Sequence, residues 1–166
     1  MTDSGTDSGE RVPVSMSRSE GEAIWYLGAL MIRKTSAEAT GGAFDVIESL
    51  AAPGTSPLWH IHHREDESFY VLEGRVTYYV GDQIIEAEPG AFVWLPRGVA
   101  HTFRVEGTEP ARLLEITASM GLWEFFKEMG EPARERTLPP LRLPDSATLL
   151  TVAARYGIEM LGPLEG

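Results

Sequence analysis

The sequence predicts an all-β domain, a small sandwich or barrel, with one or two helices packed on it near its C-terminal end. Three observations carry that expectation. Between residues 23 and 116, short apolar, β-branched and aromatic runs are separated by Gly, Pro, Asp and Glu punctuation. The runs follow one another at close, even spacing, which points to a sandwich or barrel rather than to βαβ units. After about Ser119 the spacing of apolar residues changes from that of strands to that of a helix face.

Taken in order, residues 1 to 20 are rich in Ser, Gly, Thr and Asp and contain an approximate TDSG-TDSG repeat, which reads as a mobile solvated tail. The strand candidates of the barrel, placed at residues 21–118, are Ala23–Tyr26, Leu30–Lys34, Gly42–Ala51, Leu58–His62, Glu67–Leu72, Arg75–Val80, Gln83–Glu86, Ala91–Leu95, Thr102–Val105 and Ala111–Ile116. Gly81-Asp82 lies between two of them and reads as a tight hairpin turn. Residues 119–166 read as a helical extension. Leu122, Phe125, Phe126 and Met129 recur at three- and four-residue intervals, and Gly130 and Pro132 end that helix. Pro132, Pro139, Pro140 and Pro144 make residues 131–144 an extended connector. Asp145 or Ser146 can cap a second helix running to about Tyr156 and closed by Gly157. These helices are expected either to pack on the barrel as core or to act as a lid over its mouth.

Composition narrows the function. A chain of 166 residues fits one domain with a short appendage and can bury a core without staples. There is no cysteine, so disulfides, thiolate zinc sites, iron–sulfur clusters and cysteine nucleophiles are excluded. That composition fits a reducing compartment, and the absence of a basic-then-apolar leader adds to the expectation of a cytoplasmic location. With 14 Lys and Arg against 25 Asp and Glu, the formal charge is −11, which argues against nucleic-acid and anionic-membrane partners. No apolar run is long enough to span a bilayer.

The four histidines, His60, His62, His63 and His101, are crowded into residues 60–101. Residues two apart on a strand face the same side, so His60 and His62 point together and His63 points away, toward the surface or rim. Two imidazoles side by side make a chelate for a divalent metal. Glu67 follows after the Arg64–Asp66 turn and can return to the same site as an oxygen ligand. His101 lies behind Pro96-Arg97-Gly98, a turn that can aim it inward.

These residues carry a resemblance. Gly54-x5-His60-x-His62-x4-Glu67-x6-Gly74 matches the first conserved motif of the cupin family at every position. Gly90-x5-Pro96-x-Gly98-x2-His101 matches the second, except that the Asn usually found four residues after the His is here Val105. That Asn is not a metal ligand in the family. The two motifs span about a third of the chain. The resemblance implies a small jelly-roll barrel holding one divalent transition metal, with His60, His62, Glu67 and His101 as its ligands. Fe, Ni, Mn, Co, Cu and Zn all suit such a set, and ligand type does not choose among them. It also implies a homodimer, for which Ile24–Lys34 supplies spare apolar strand material.

Alternation places further residues around the metal. Counting from Glu67, Phe69 faces inward; counting from His101, Phe103 does. Tyr78 or Tyr79, and Trp94 or Phe92, should also point in, and Phe125 and Phe126 add a cap. Phe69, Tyr78, Trp94, Phe103 and Phe125 are therefore the expected substrate-contacting set, fit for a small, fairly hydrophobic substrate. Only Arg33 and Arg104 offer inward basic charge, so a strongly anionic substrate is disfavoured. The chain is similar to one-domain flavonol 2,3-dioxygenases, in which O2 is the second substrate and the Glu doubles as the catalytic base; here that residue is Glu67. The motifs leave two alternatives open. One is a non-oxygenase cupin enzyme, an isomerase, lyase or cyclase with the metal as Lewis acid. The other is a non-catalytic small-molecule-binding cupin.

Overall fold

The computed structural model describes residues 12–36, 38–118 and 121–164. Twelve strands and two helices follow in the order β1 (Ala23–Tyr26), β2 (Ala29–Thr35), β3 (Asp45–Ala51), β4 (Trp59–His62), β5 (Asp66–Glu73), β6 (Arg75–Val80), β7 (Gln83–Ala87), β8 (Phe92–Leu95), β9 (His101–Glu106), β10 (Ala111–Ala118), α1 (Leu122–Met129), β11 (Glu131–Pro132), α2 (Ser146–Arg155) and β12 (Ile158–Gly162). All ten strands expected up to residue 118 are present.

The strands form two antiparallel sheets, β11-β1-β2-β3-β10-β5-β8 and β12-β4-β9-β6-β7. Among the described residues no strand pairing joins the two, so the jelly roll is a two-layer sandwich with open edges rather than a closed barrel. Alternate residues of each sheet meet in the middle. Ile47, Val71 and Leu113 from the larger sheet pack toward Val76, Tyr78 and Val105 from the smaller, all at most 1% exposed. Burying each of these side chains stabilises the fold by about 1.5–3 kcal/mol relative to exposure.

The turns are built where the glycines stand. Gly74 separates β5 from β6 at φ 82°, and a Cβ there would meet Ala111 Cα at 2.7 Å and the Pro110 carbonyl oxygen at 2.8 Å. Only glycine fits both the left-handed conformation and that approach. The positions of the two motifs are also tied by backbone. Gly54 N–H donates to the Val105 carbonyl (2.9 Å), and Val105 N–H donates to that of Thr55 (3.0 Å). Val105, standing where an Asn is usual, is itself buried core. The departure thus leaves the link between the motifs to the main chain.

Beyond residue 118 the chain is less helical than its sequence suggests. The two helices form where expected, and Asp145 is the cap of α2, its carboxylate accepting from Thr148 N at 2.9 Å. Yet β11 adds to the edge of the larger sheet beside β1, and β12 adds to the smaller sheet beside β4. The extension therefore completes both sheets instead of resting on them. Leu122, Phe125, Leu149, Val152 and Ile158 form a second apolar cluster around it. At the other end, the first eleven residues of the expected tail lie outside the described residues. Residues 12–16 carry no regular structure, and Lys34 Nζ donates to the carbonyls of Ser17 and Glu20 at 3.0 and 3.1 Å. No helix among the described residues is long and apolar enough to cross a membrane.

Candidate metal centre

Alternation on β4 sends His60 and His62 into the sandwich and His63 out, where its Nε2 meets Glu159 on the surface at 2.9 Å. His101 opens β9 and pairs directly with His60 across the ladder. The turn before it is fixed by Gly98, φ 80°, whose N–H donates to the His62 carbonyl at 2.8 Å. Glu67 arrives from the opposite sheet on β5, paired with Thr117 and Leu95. The imidazole centroids of His60, His62 and His101 lie 4.5–5.5 Å apart. One donor atom from each of these three and one carboxylate oxygen of Glu67 all fall within 4.8 Å of one another. Glu67 Oε2 is 3.2 Å from His101 Nε2 and 3.9 Å from His62 Nε2.

The far side of each ring decides which nitrogen faces the centre. His60 Nδ1 donates to the Leu58 carbonyl at 2.7 Å, and His101 Nδ1 donates to that of Val99 at 3.0 Å. Carbonyls only accept, so the proton of each neutral ring sits on Nδ1 and the Nε2 lone pair points inward. His62 Nδ1 is held by the buried carboxylate of Glu65 at 3.3 Å. Backbone or carboxylate partners on the outer nitrogen are the usual way in which metal-ligating imidazoles are oriented. Among the described residues, the buried His101 Nε2 has no hydrogen-bond partner. Three inward Nε2 atoms and one carboxylate, without a thiolate, fit a divalent transition metal, so the cluster could hold one.

Electrostatics follow from this crowding. Burial, then the neighbouring His101 and His62, pull the His60 pKa down to about 4. Burial alone would raise that of Glu67, but contact with His101 and the nearby His62 and His60 bring it to about 2. Burial likewise opposes charge on His62, and the Glu65 hydrogen bond and the Glu67 charge outweigh it, raising its pKa. Glu115, inward on β10, is held well above the usual carboxylate range by burial and next by Glu67.

The cluster closes one end of a cavity of about 220 Å³. Its walls are mostly apolar, with Met31, Phe69, Phe103, Phe125, Leu149 and Met160 among them. Both α2 and the connector before it reach the cavity, through Leu143, Pro144, Ser146 and Leu149, so the C-terminal region contributes to its walls.

Not every expected residue is there. Phe69, Phe103 and Phe125 line the cavity. Tyr78 points inward but lies behind them, packed on Phe69 and Phe103 at 5.4 and 5.8 Å and absent from the lining. Trp94 points out and is 58% exposed, as is its neighbour Phe92 at 61%. The inward positions of β8 are Val93 and Leu95, because Leu95 pairs with Glu67 and Val93 with Phe69. Arg33 is inward but bound to Asp45 at 2.8 Å and stacked over Trp123, so it offers the cavity no free charge. Glu65 and Glu115 escaped the sequence reading. The signal for Glu115 was legible, since an acid stands in the inward phase Ala111, Leu113, Glu115, Thr117.

Two antiparallel sheets around a three-histidine, one-glutamate cluster define a jelly-roll protein with a candidate metal centre. A family model described as the cupin domain matches residues 48–117, so this stretch of the chain, which holds all four residues of the cluster, is a cupin domain. The chain is 29% identical over 130 residues to a quercetin 2,3-dioxygenase of Bacillus subtilis, an alignment covering 77% of this chain and 38% of that protein. This chain thus spans well under half the length of that relative. Among solved structures it is similar to a predicted oxalate decarboxylase of Thermotoga maritima (21% identical, covering 66% of this chain and all of that one, TM-score 0.56). It is also similar to the cupin domain of Schizosaccharomyces pombe Cnp3 (17% identical, covering 71% and 82%, TM-score 0.55). These two likenesses concern the fold.

Proposed function

We propose that this chain is a metal-dependent dioxygenase acting on a small, fairly hydrophobic hydroxy-ketone of the flavonol kind, with one divalent transition metal per chain. The observation that carries the proposal is the convergence of three Nε2 atoms and the Glu67 carboxylate at one end of an apolar cavity. The likeness to a quercetin 2,3-dioxygenase supports the choice among cupin reactions.

His60, His62, Glu67 and His101 would hold the metal, which when bound supplies a Lewis-acidic centre where the hydroxy-ketone oxygens and O2 can meet. The rest is the work of the chain. Phe69, Phe103 and Phe125 bind the apolar rings and keep bulk water off the reacting end. Glu67 stands on the sheet opposite the histidines, with its oxygen facing their ring edges. It is the group placed to take the hydroxyl proton of the substrate onto its carboxylate. Holding both partners in one pocket removes part of the entropic barrier.

Oxygen-electrode traces on metal-loaded protein with a flavonol panel test the proposal. O2 uptake is expected with at least one metal form, and about 10²-fold less or lower with Glu67→Gln at retained metal content. No uptake with any metal form would move the reading to the non-oxygenase cupin enzymes, and no metal bound after reconstitution would remove the centre itself.

A further inference from the structure

The cavity floor holds a second carboxyl group for which the proposed reaction has no use. Glu115 projects from β10 between Ile47 of β3 and Phe69 of β5. It is 3% exposed and lines the cavity, and among the described residues its Oε1 has no hydrogen-bond partner. Its carboxyl touches that of Glu67. On the neighbouring strand Ser49 continues the floor, diagonal to Glu115 because Ser49 pairs with Leu113. The floor is therefore a polar track, Glu67, Glu115, Ser49, under walls made of Met31, Phe69 and Phe103.

An entirely apolar ligand reaching the metal end would cover Glu115 and leave a buried oxygen unpaired, which is costly. A ligand with a hydroxyl at that point would satisfy it. We infer that Glu115 is a specificity-determining residue: the substrate carries, besides the oxygens directed at the metal, a further ring hydroxyl that donates to Glu115 Oε1. This rests on the hydroxy-ketone reading above and adds to it a requirement for polyhydroxylation. Sites built to hydrogen-bond a substrate hydroxyl discriminate strongly against the analogue that lacks it.

The test is anaerobic calorimetry on the metal-loaded protein with two probes, 3-hydroxyflavone and 3,5,7-trihydroxyflavone, which differ only in ring hydroxyls. Wild type is expected to bind the trihydroxy probe about tenfold to a hundredfold more tightly. Glu115→Leu should erase that preference by weakening the trihydroxy probe while holding 3-hydroxyflavone within about twofold, and Glu115→Gln should keep much of it through the amide oxygen. Metal content and melting temperature are read on each variant, so a folding defect is seen as such. An equal weakening of both probes by Glu115→Leu, a preference that survives it, or failure of both probes to bind wild type would overturn the inference. Binding is measured without O2. A protein that shows the preference but takes up no oxygen keeps the inference and loses the dioxygenase.

Discussion

His60 and His101 are oriented by the same local device. Each ring turns back to donate from Nδ1 to the carbonyl two residues before it, Leu58 and Val99. The backbone thereby selects the tautomer, and no other side chain is needed. His62 lacks this contact and relies on Glu65, 2% exposed, with one oxygen on the ring and the other without a partner among the described residues. Glu65 is thus the exchangeable part of the support. Glu65→Ala should weaken metal binding about 10- to 100-fold in chelator competition, the range typical of such partners, while leaving the jelly roll folded. His101→Ala should remove the metal outright while keeping the circular dichroism of the fold, because the apolar core lies elsewhere. The same scale shows what alternation could and could not tell. Counting from Glu67 and His101 placed Phe69 and Phe103 correctly, because each count began at a residue whose direction the chemistry fixed. β8 holds no such anchor. Its phase is set by pairing with β5 across more than twenty residues of chain, so the reading of Trp94 had no local basis.

At the scale of elements, strands up to residue 118 were legible because each is short, apolar and bounded by a turn signal. The additions at the C-terminal end were not. β11 is two residues long, and β12, Ile158–Gly162, has its partner in β4 nearly a hundred residues earlier. No local pattern reports such a pairing. The consequence can be tested. Ile158, 3% exposed and lining the cavity, packs with Leu122, Phe125 and Leu149. Ile158→Ala should cost about 2–4 kcal/mol in denaturant unfolding. An extension merely resting on the sandwich would unfold in a separate, earlier step and leave the main transition unmoved. Gly74→Ala probes the other kind of element, the turn. Its Cβ would press on the Ala111 backbone at a positive φ, and a loss of about 2 kcal/mol or more is expected, read as a melting temperature lower by about 4–8 °C.

At the scale of the molecule, the sandwich leaves an apolar row uncovered on its larger sheet. Tyr70, Leu72, Phe92 and Trp94 lie on the outer side of β5 and β8, respectively 40%, 39%, 61% and 58% exposed. Tyr70 pairs with Phe92, and Ser68 with Trp94, so these side chains stand in adjoining rows. β8 is also the edge of the seven-stranded sheet, with one side of its ladder unpaired among the described residues. Open edges and contiguous apolar patches each invite association, and here they coincide. Ile24–Lys34, expected to supply spare strand material, is instead consumed within the sheet, as β1 and β2 pair with each other and with β11 and β3. We propose that the homodimer expected from the family resemblance is formed through this surface at β8. Light scattering of the protein at micromolar concentration should give twice the 18.3 kDa chain mass. Trp94→Glu should return it to the monomer mass with little change in melting temperature, since Trp94 contributes nothing to the core. A wild-type mass of one chain would remove the dimer, and a dimer indifferent to Trp94→Glu would move it to another face. Because Trp94 lies outside the cavity, the monomeric variant should still bind metal in full, which separates assembly from the centre.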